Sequence, residues 1–424
     1  MMIEHAFPTQ CTLNSQTTGP TIPNPKRALV HSAIALALST LLSAPSYAQY
    51  ENKAEGVAKD QITVGTSVAL SGSLAYMGKA IEEGMNVYFD TVNQNGGVNG
   101  RKIKLITYDD EFKPAKTVAN AKLLVERDNA MALVGVLGTP TVLAAYEYLQ
   151  EKRVPMIGAL SISDAVSTPP RDLIFALPSP QSTEAAAYVD YAVKTLNAKR
   201  VAILYQNDSW GKPASEVAEK RLATHGLKVV ETQTFERLAT DLTSQVFKLK
   251  ESNPDVVVVY ALGQQAASFF KAAEKLGWNP TVFGAGGLND PKFVELLDGK
   301  AVKLYVASYY DPIDGDNPAI KSFVAAYGKM YSGNKPSALA LMGYSAAAVF
   351  TEALSRTGAE PTRAKLLSTM DGMKGFDQKI GPKITFEPLT GSAYSRRGQT
   401  GVALMELKGQ KFQSLGSYID PVSR

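Results

Sequence analysis

The stretch Ile62-Thr-Val-Gly-Thr-Ser-Val-Ala-Leu70 opens a layout that the chain uses twice. This short apolar strand leads to a helix-period run. A strand ending in acids follows, Lys102 to Asp110 (KIKLITYDD), then another helix and a buried strand, Ala132 to Gly138 (ALVGVLG). About a hundred residues later the order returns: Val201 to Asp208 (VAILYQND), a helix, Lys228 to Phe235 (KVVETQTF), a helix, and Asp255 to Gly263 (DVVVVYALG). Strands this apolar, alternating with helices, make parallel sheets covered on both faces. The predicted fold class is α/β, two doubly wound parallel-sheet lobes joined by a hinge of three segments, with a cleft between them.

Composition supports two ordinary cores. The chain has 424 residues, 45% of them apolar and 20% charged, with a net charge of only +4. Lysines and arginines are scattered among acids, so no nucleic-acid partner is expected. At the N-terminus Lys26 and Arg27 precede the apolar run Ala28 to Leu42, and Pro45 and Ser46-Tyr47-Ala48 follow. A run of about 15 residues is too short for a ~30 Å hydrocarbon core, so residues 1–48 are read as a cleaved export signal, with Gln49 starting the mature chain.

Much chemistry is excluded by counting. The one cysteine, Cys11, and two of the three histidines, His5 and His31, fall in the signal. His225, before Gly226, reads as the end of a helix. One histidine and no thiol leave no Ser-His-Asp, Cys-His or His/Cys zinc site. Gly343-Tyr-Ser-Ala-Ala347 lacks the closing glycine of a nucleophile elbow and sits in a helical run, where its small residues permit close packing. No phosphate-binding glycine motif occurs, and Gly284-Ala-Gly-Gly287 is a loop after a strand, so no cofactor is expected.

Periodicity places helices at 79–94, 116–128, 141–153, 318–331, 337–356 and 363–370. Crossings between lobes are expected in the Pro-rich stretch 167–180, at Asp311-Pro312, and once in the strand-like tail 383–418. The lobes then comprise 60–177 with 308–385, and 178–307 with 386–424.

In this order and spacing, the segments ALSGSLAYMG (69–78), NQNGGVNGRKIKLITYDDEFKP (93–114), GVLGTPTVLA (135–144), VPMIGAL (154–160), YQNDSWG (205–211) and NPDVVVVYALG (253–263) resemble the periplasmic leucine/isoleucine/valine-binding family of ABC-transporter substrate-binding proteins. The resemblance runs from about Asp60 to the C-terminus. It implies a type I periplasmic binding fold, a small solute enclosed between the lobes, no catalysis, a location in the periplasm, and docking on permease subunits in the inner membrane. A periplasmic sensor partner and an exported enzyme using the same cleft are the alternatives.

The same resemblance puts Tyr76, Leu137, Thr139, Leu160, Ser161, Trp210, Leu262 and Gly286 around the solute. Thr139 opens a helix after a buried strand, where a hydroxyl and free N–H groups meet a carboxylate. Ser161 ends the next strand and faces the same spot. Trp210, before Gly211, offers an indole as a cover, while Asp208 caps the helix start. The acids at 109–111 read as ordering a turn before Pro114. Amino-acid-binding relatives carry an acid in the loop where Gly286 stands and a tyrosine near Leu262-Gly263, and both are missing here. A buried ammonium without a carboxylate costs several kcal/mol. The expected solute is therefore a small carboxylate without the amine, unless Asn289, Asp290 or Gln264 supplies the partner.

Overall fold

The computed structural model describes residues 56–390 and 394–420. The export-signal reading of residues 1–48, with Cys11, His5 and His31, lies outside the described residues.

Val64 and Val68 in β1 (Gln61–Val68) are fully buried. The chain continues through α1 (Ala75–Gln94), β2 (Lys102–Asp109), α2 (Pro114–Lys122), β3 (Leu133–Val134), α3 (Thr139–Lys152), β4 (Met156–Ala159) and β5 (Ile174–Ala176). Next come α4 (Gln181–Lys194), β6 (Val201–Gln206), α5 (Gly211–Thr224), β7 (Val229–Phe235), α6 (Thr243–Glu251), β8 (Val256–Tyr260), α7 (Gly263–Lys275), β9 (Thr281–Gly284), α8 (Pro291–Leu296) and β10 (Lys303–Ser308). Three helices, α9 (Pro318–Met330), α10 (Ala338–Arg356) and α11 (Arg363–Asp371), precede β11 (Ala403–Lys408) and β12 (Lys411–Ser414).

The strands form two sheets, ordered β2-β1-β3-β4-β5 and β12-β11-β10-β9-β8-β6-β7. The duplication read in the sequence is physical. In each lobe the first strand of the unit lies between the second and third, all parallel. The run of valines in β8 follows from burial on both faces. Val256 and Val258 join Ile203 in one apolar layer, and Val257 and Val259 join Leu204 in the opposite layer. The tail adds β11 and β12 as an antiparallel hairpin at the β10 edge.

Helix α10 is the core helix of the first lobe and lies across α1. A Cβ on Gly343 would overlap the carbonyl oxygen of Ile81, and one on Gly84 the carbonyl of Ala340. The small residues of Gly343 to Ala347 are thus what lets the two backbones approach.

Two expectations are corrected. The strand expected over Ala132–Gly138 pairs regularly only at Leu133–Val134, because Gly135 takes φ +68° under Met85 and Ala346, and pairing resumes as a single bridge from Leu137 to Leu160. The tail also stays with the first lobe well past 386. Phe386 meets Phe175 edge-on, and Arg397 bridges to Ala176. The return crossing falls at about 398–402, where Ser179 Oγ donates to the Gly401 carbonyl at 2.7 Å and Gln399 Nε2 to the Tyr309 carbonyl at 3.2 Å. Those two bonds tie all three crossings side by side.

Candidate functional site

Gly138 has φ +97° and the Phe112 ring against its Cα, a position no side chain could share, and this turn delivers Thr139 to the first residue of α3. The neighbouring strand delivers Ser161. Leu160 N–H donates to the Val136 carbonyl and Gly138 N–H to the Leu160 carbonyl, which sets the two strand ends level. Thr139 Oγ1 and Ser161 Oγ share a hydrogen bond of 2.8 Å, and Ser163 N–H donates to Ser161 Oγ at 3.3 Å. Both hydroxyls are nearly buried. Thr141, by contrast, turns its hydroxyl back to the Leu137 and Gly138 carbonyls.

These residues line a cleft that encloses about 900 Å³, including its part open to solvent. From the first lobe come Leu74, Met77, Phe112, Leu137, Thr139, Leu160, Ser161, Ile162, Leu339 and Met342. The second lobe and the crossings add Gln206, Asp208, Trp210, Arg237, Leu262, Gln265, Ala285, Gly287 and Tyr309. The wall is mostly apolar. Three helix N-termini converge on it, those of α3 at Thr139, α5 beside Trp210 and α7 beside Leu262. Such termini favour negative charge.

The lobes touch across the mouth. Arg237 lies 5.9 Å from the Phe112 ring centroid and points Nη1 at the Phe112 carbonyl, 3.5 Å away. Of the lining residues only Arg237 and Asp208 are charged, and Asp208 is occupied. Its Oδ1 accepts from Trp210 N–H and Gly211 N–H at 2.9 Å each, capping α5 as expected, and its Oδ2 accepts from Gln206. Trp210 is 9% exposed, with its ring edge-on to Tyr260 at 6.4 Å.

Six of the eight residues named from the sequence line this cleft: Leu137, Thr139, Leu160, Ser161, Trp210 and Leu262. Tyr76 does not. It packs across the lobe boundary on α7, its hydroxyl 3.4 Å from where a Cβ on Gly263 would stand. Gly286 does not either. It is buried in a 3₁₀ turn with its N–H directed at Glu184 Oε2, 3.4 Å away, while Ala285 and Gly287 face the cleft. Asn289 bonds Ser308 and Asp290 caps α8, so neither replaces the missing acid.

Sequence reasoning does not find Glu184. This fully buried carboxyl from the first turn of α4 fills the space beside Gly286, its Oε2 3.1 Å from where a Cβ on that glycine would be. Tyr309 OH donates to the same oxygen at 2.6 Å. Desolvation pushes the Glu184 carboxyl up to about 7, against the hydrogen bonds from Tyr309 and Gly286. Phe112 and Arg237 also escape a reading of the sequence, because both sit in loops after strands, where only their place at a strand's carboxyl end signals a ligand.

The acids at 109–111 are structural. Asp110 takes hydrogen bonds from Ser67, Thr117 and Phe112 N–H, and Asp109 from Leu70 N–H and Ser71. His225, at the C-cap of α5, sets Nε2 2.7 Å from Asp190, which also pairs with Arg221. Among the described residues no His/Cys/Asp/Glu group is arranged to hold a metal.

Residues 61–411 match the family model described as periplasmic binding protein. An amino acid binding protein of Pseudomonas aeruginosa is 26% identical over 58% of this chain, which spans 63% of that relative's length. Two solved structures superpose closely. The fatty acid ABC transporter substrate-binding protein of Thermomonospora curvata has a TM-score of 0.78 at 21% identity, covering 87% of this chain and 95% of its own. A substrate-binding periplasmic protein of Ralstonia solanacearum has 0.74 at 26% identity, covering 83% and 99%.

Proposed function

The chain belongs to the periplasmic binding protein family, and from that premise we propose that it is the solute-binding component of an ABC importer, closing its lobes on a small carboxylate with an apolar body. It works in the periplasm, hands the solute to permease subunits in the inner membrane, and leaves it chemically unchanged. The solutes named for the relatives, an amino acid and a fatty acid, differ in their polar ends. The chemistry of the cleft must therefore choose.

The observation that carries this reading is the Thr139–Ser161 hydroxyl pair, 2.8 Å apart at the N-terminus of α3 in an otherwise apolar wall. Two adjacent hydroxyls and free helix N–H groups match the two oxygens of a carboxylate. Arg237 at the mouth adds attraction for an anion. Leu74, Met77, Leu137, Leu160, Leu262 and Met342 suit an aliphatic or aromatic body, and Trp210 covers it. A glycine at 286 is the reason to expect a solute without an amine, and Glu184 beside that glycine removes it.

Native mass spectrometry of the purified chain, followed by thermal shift over a panel, tests this. Leucine, phenylalanine, 4-methylpentanoate, 3-phenylpropanoate, benzoate and octanoate represent the class, with sugars, nucleosides and polyamines as controls. At least one carboxylate should raise Tm by several degrees through mass action. A shift given only by a sugar, nucleoside or polyamine defeats the reading.

A further inference from the structure

We propose that the cleft contains a second polar anchor, the Tyr309–Glu184 pair, which accepts a hydrogen bond from an amine or hydroxyl on the solute and so selects acids that carry such a group. This rests on the carboxylate reading above and adds to it the chemistry of the solute's other polar end.

Tyr309 lines the cleft next to Ala285 and Gly287. Its single hydrogen is spent on Glu184 Oε2 at 2.6 Å, so toward any other group its oxygen can only accept. Donation to a carboxyl makes that oxygen a better acceptor. Glu184 stands directly behind it, fully buried, and its Oε1 has no hydrogen-bond partner among the described residues. What surrounds Glu184 Oε2 is a phenol and a backbone N–H, with no lysine or arginine of the described residues in contact. Native interiors rarely leave such an atom unmatched.

The surplus of acceptors extends around the pair. Gln181 Nε2 donates to the Trp210 carbonyl at 2.8 Å while its Oε1 is unpartnered, and Gln399 Nε2 donates to the Tyr309 carbonyl while its Oε1 is unpartnered. The buried Tyr260 hydroxyl, on a ring edge-on to Trp210, also lacks a partner among the described residues and can accept as well as donate. One wall of the cleft thus offers donors at the N-terminus of α3, and the crossings behind Tyr309 offer acceptors. A solute with a carboxylate at one point and a donor nearby satisfies both.

Calorimetry on the mature chain, unfolded and refolded to strip copurified solute, tests this with two matched series. One is 4-methylpentanoate, 2-hydroxy-4-methylpentanoate and leucine; the other is 3-phenylpropanoate, 3-phenyllactate and phenylalanine. Within a series only the Cα substituent changes. A donor-bearing member should bind roughly tenfold or more tighter than the plain acid. E184Q and Y309F should each bring that ratio toward one. A larger loss for the amine than for the hydroxyl in E184Q identifies an ammonium; equal losses identify a hydroxyl.

Equal affinity across both series in the wild type overturns the proposal, as does an E184Q variant that weakens all members alike. Should E184Q fail to fold, the wild-type ratio and Y309F still separate the outcomes. Tight binding of plain acids alone removes this inference and leaves the carboxylate reading standing, whereas binding of no carboxylate removes both.

Discussion

Arg397, just ahead of the third crossing, donates to the backbone carbonyl of Ser161, 236 residues earlier in the chain. Its guanidinium is fully buried and also reaches the Ser163 and Pro178 carbonyls and Ser167 Oγ. Burial pulls the guanidinium down to about 10, while nearby Asp164 favours its charge. The loop bearing one hydroxyl anchor is thus held by the hinge as well as by its own sheet.

Removing that strut should be costly. R397M leaves the buried Ser161 and Pro178 carbonyls without a donor, while the Ser163 carbonyl keeps the Val166 N–H, and breaking a buried charged network of this kind costs about 3 kcal/mol or more. R397K, which keeps the charge but loses the fork, should recover only part of it. Urea unfolding measures both. A loss below about 1 kcal/mol for R397M means the loop is held by its sheet alone.

Gly343 gives a test of sign. In an isolated helix alanine gains up to about 1 kcal/mol over glycine. Here the added Cβ meets the Ile81 carbonyl, so the backbones must separate and G343A should lose about 1–3 kcal/mol. Stabilisation by G343A in thermal unfolding would show that α1 and α10 do not pack as closely as described.

Glu184 predicts a pH dependence. Its folded carboxyl sits at about 7 against an ordinary 4.5, so the folded state holds the proton longer than the unfolded chain. As pH rises from about 4.5 to about 7, the wild type loses stability relative to E184Q, levelling off above at roughly 3 kcal/mol. Unfolding of both proteins between pH 4.5 and 8 measures the difference. The Asp190 cluster acts oppositely: desolvation works against the charged carboxyl, but Arg221, His225 and Lys194 hold it low, so its contribution is lost only in acid. Because that cluster is common to both proteins, it cancels. A wild type that holds or gains stability relative to E184Q as pH rises contradicts the placement of Glu184.

How much is legible in the sequence follows from how locally each feature is encoded. Val256 to Val259 reads as a strand buried on both faces because every position is apolar. Thr139 and Ser161 end successive strands of one parallel sheet, so topology alone predicts that they meet. The acid near Gly286 is invisible, because Glu184 lies 102 residues away and approaches through a helix start. Tyr76 is misplaced for a related reason: it stands in the first turn of α1 rather than in a loop, and its packing against α7 is a tertiary event. The third crossing is expected too early because Phe386 alternates like any strand residue, and only its contact with Phe175 shows which lobe it serves.

Whether Thr139 and Ser161 grip an acid within the cleft is open to a binding experiment. Calorimetry compares stripped wild type with the T139V/S161A double variant, against whichever carboxylate gives the largest thermal shift. Wild type should bind it saturably and one to one, and the variant should lose roughly a hundredfold or more in affinity, as two charge-assisted hydrogen bonds disappear. Unchanged affinity in a folded double variant would contradict the grip.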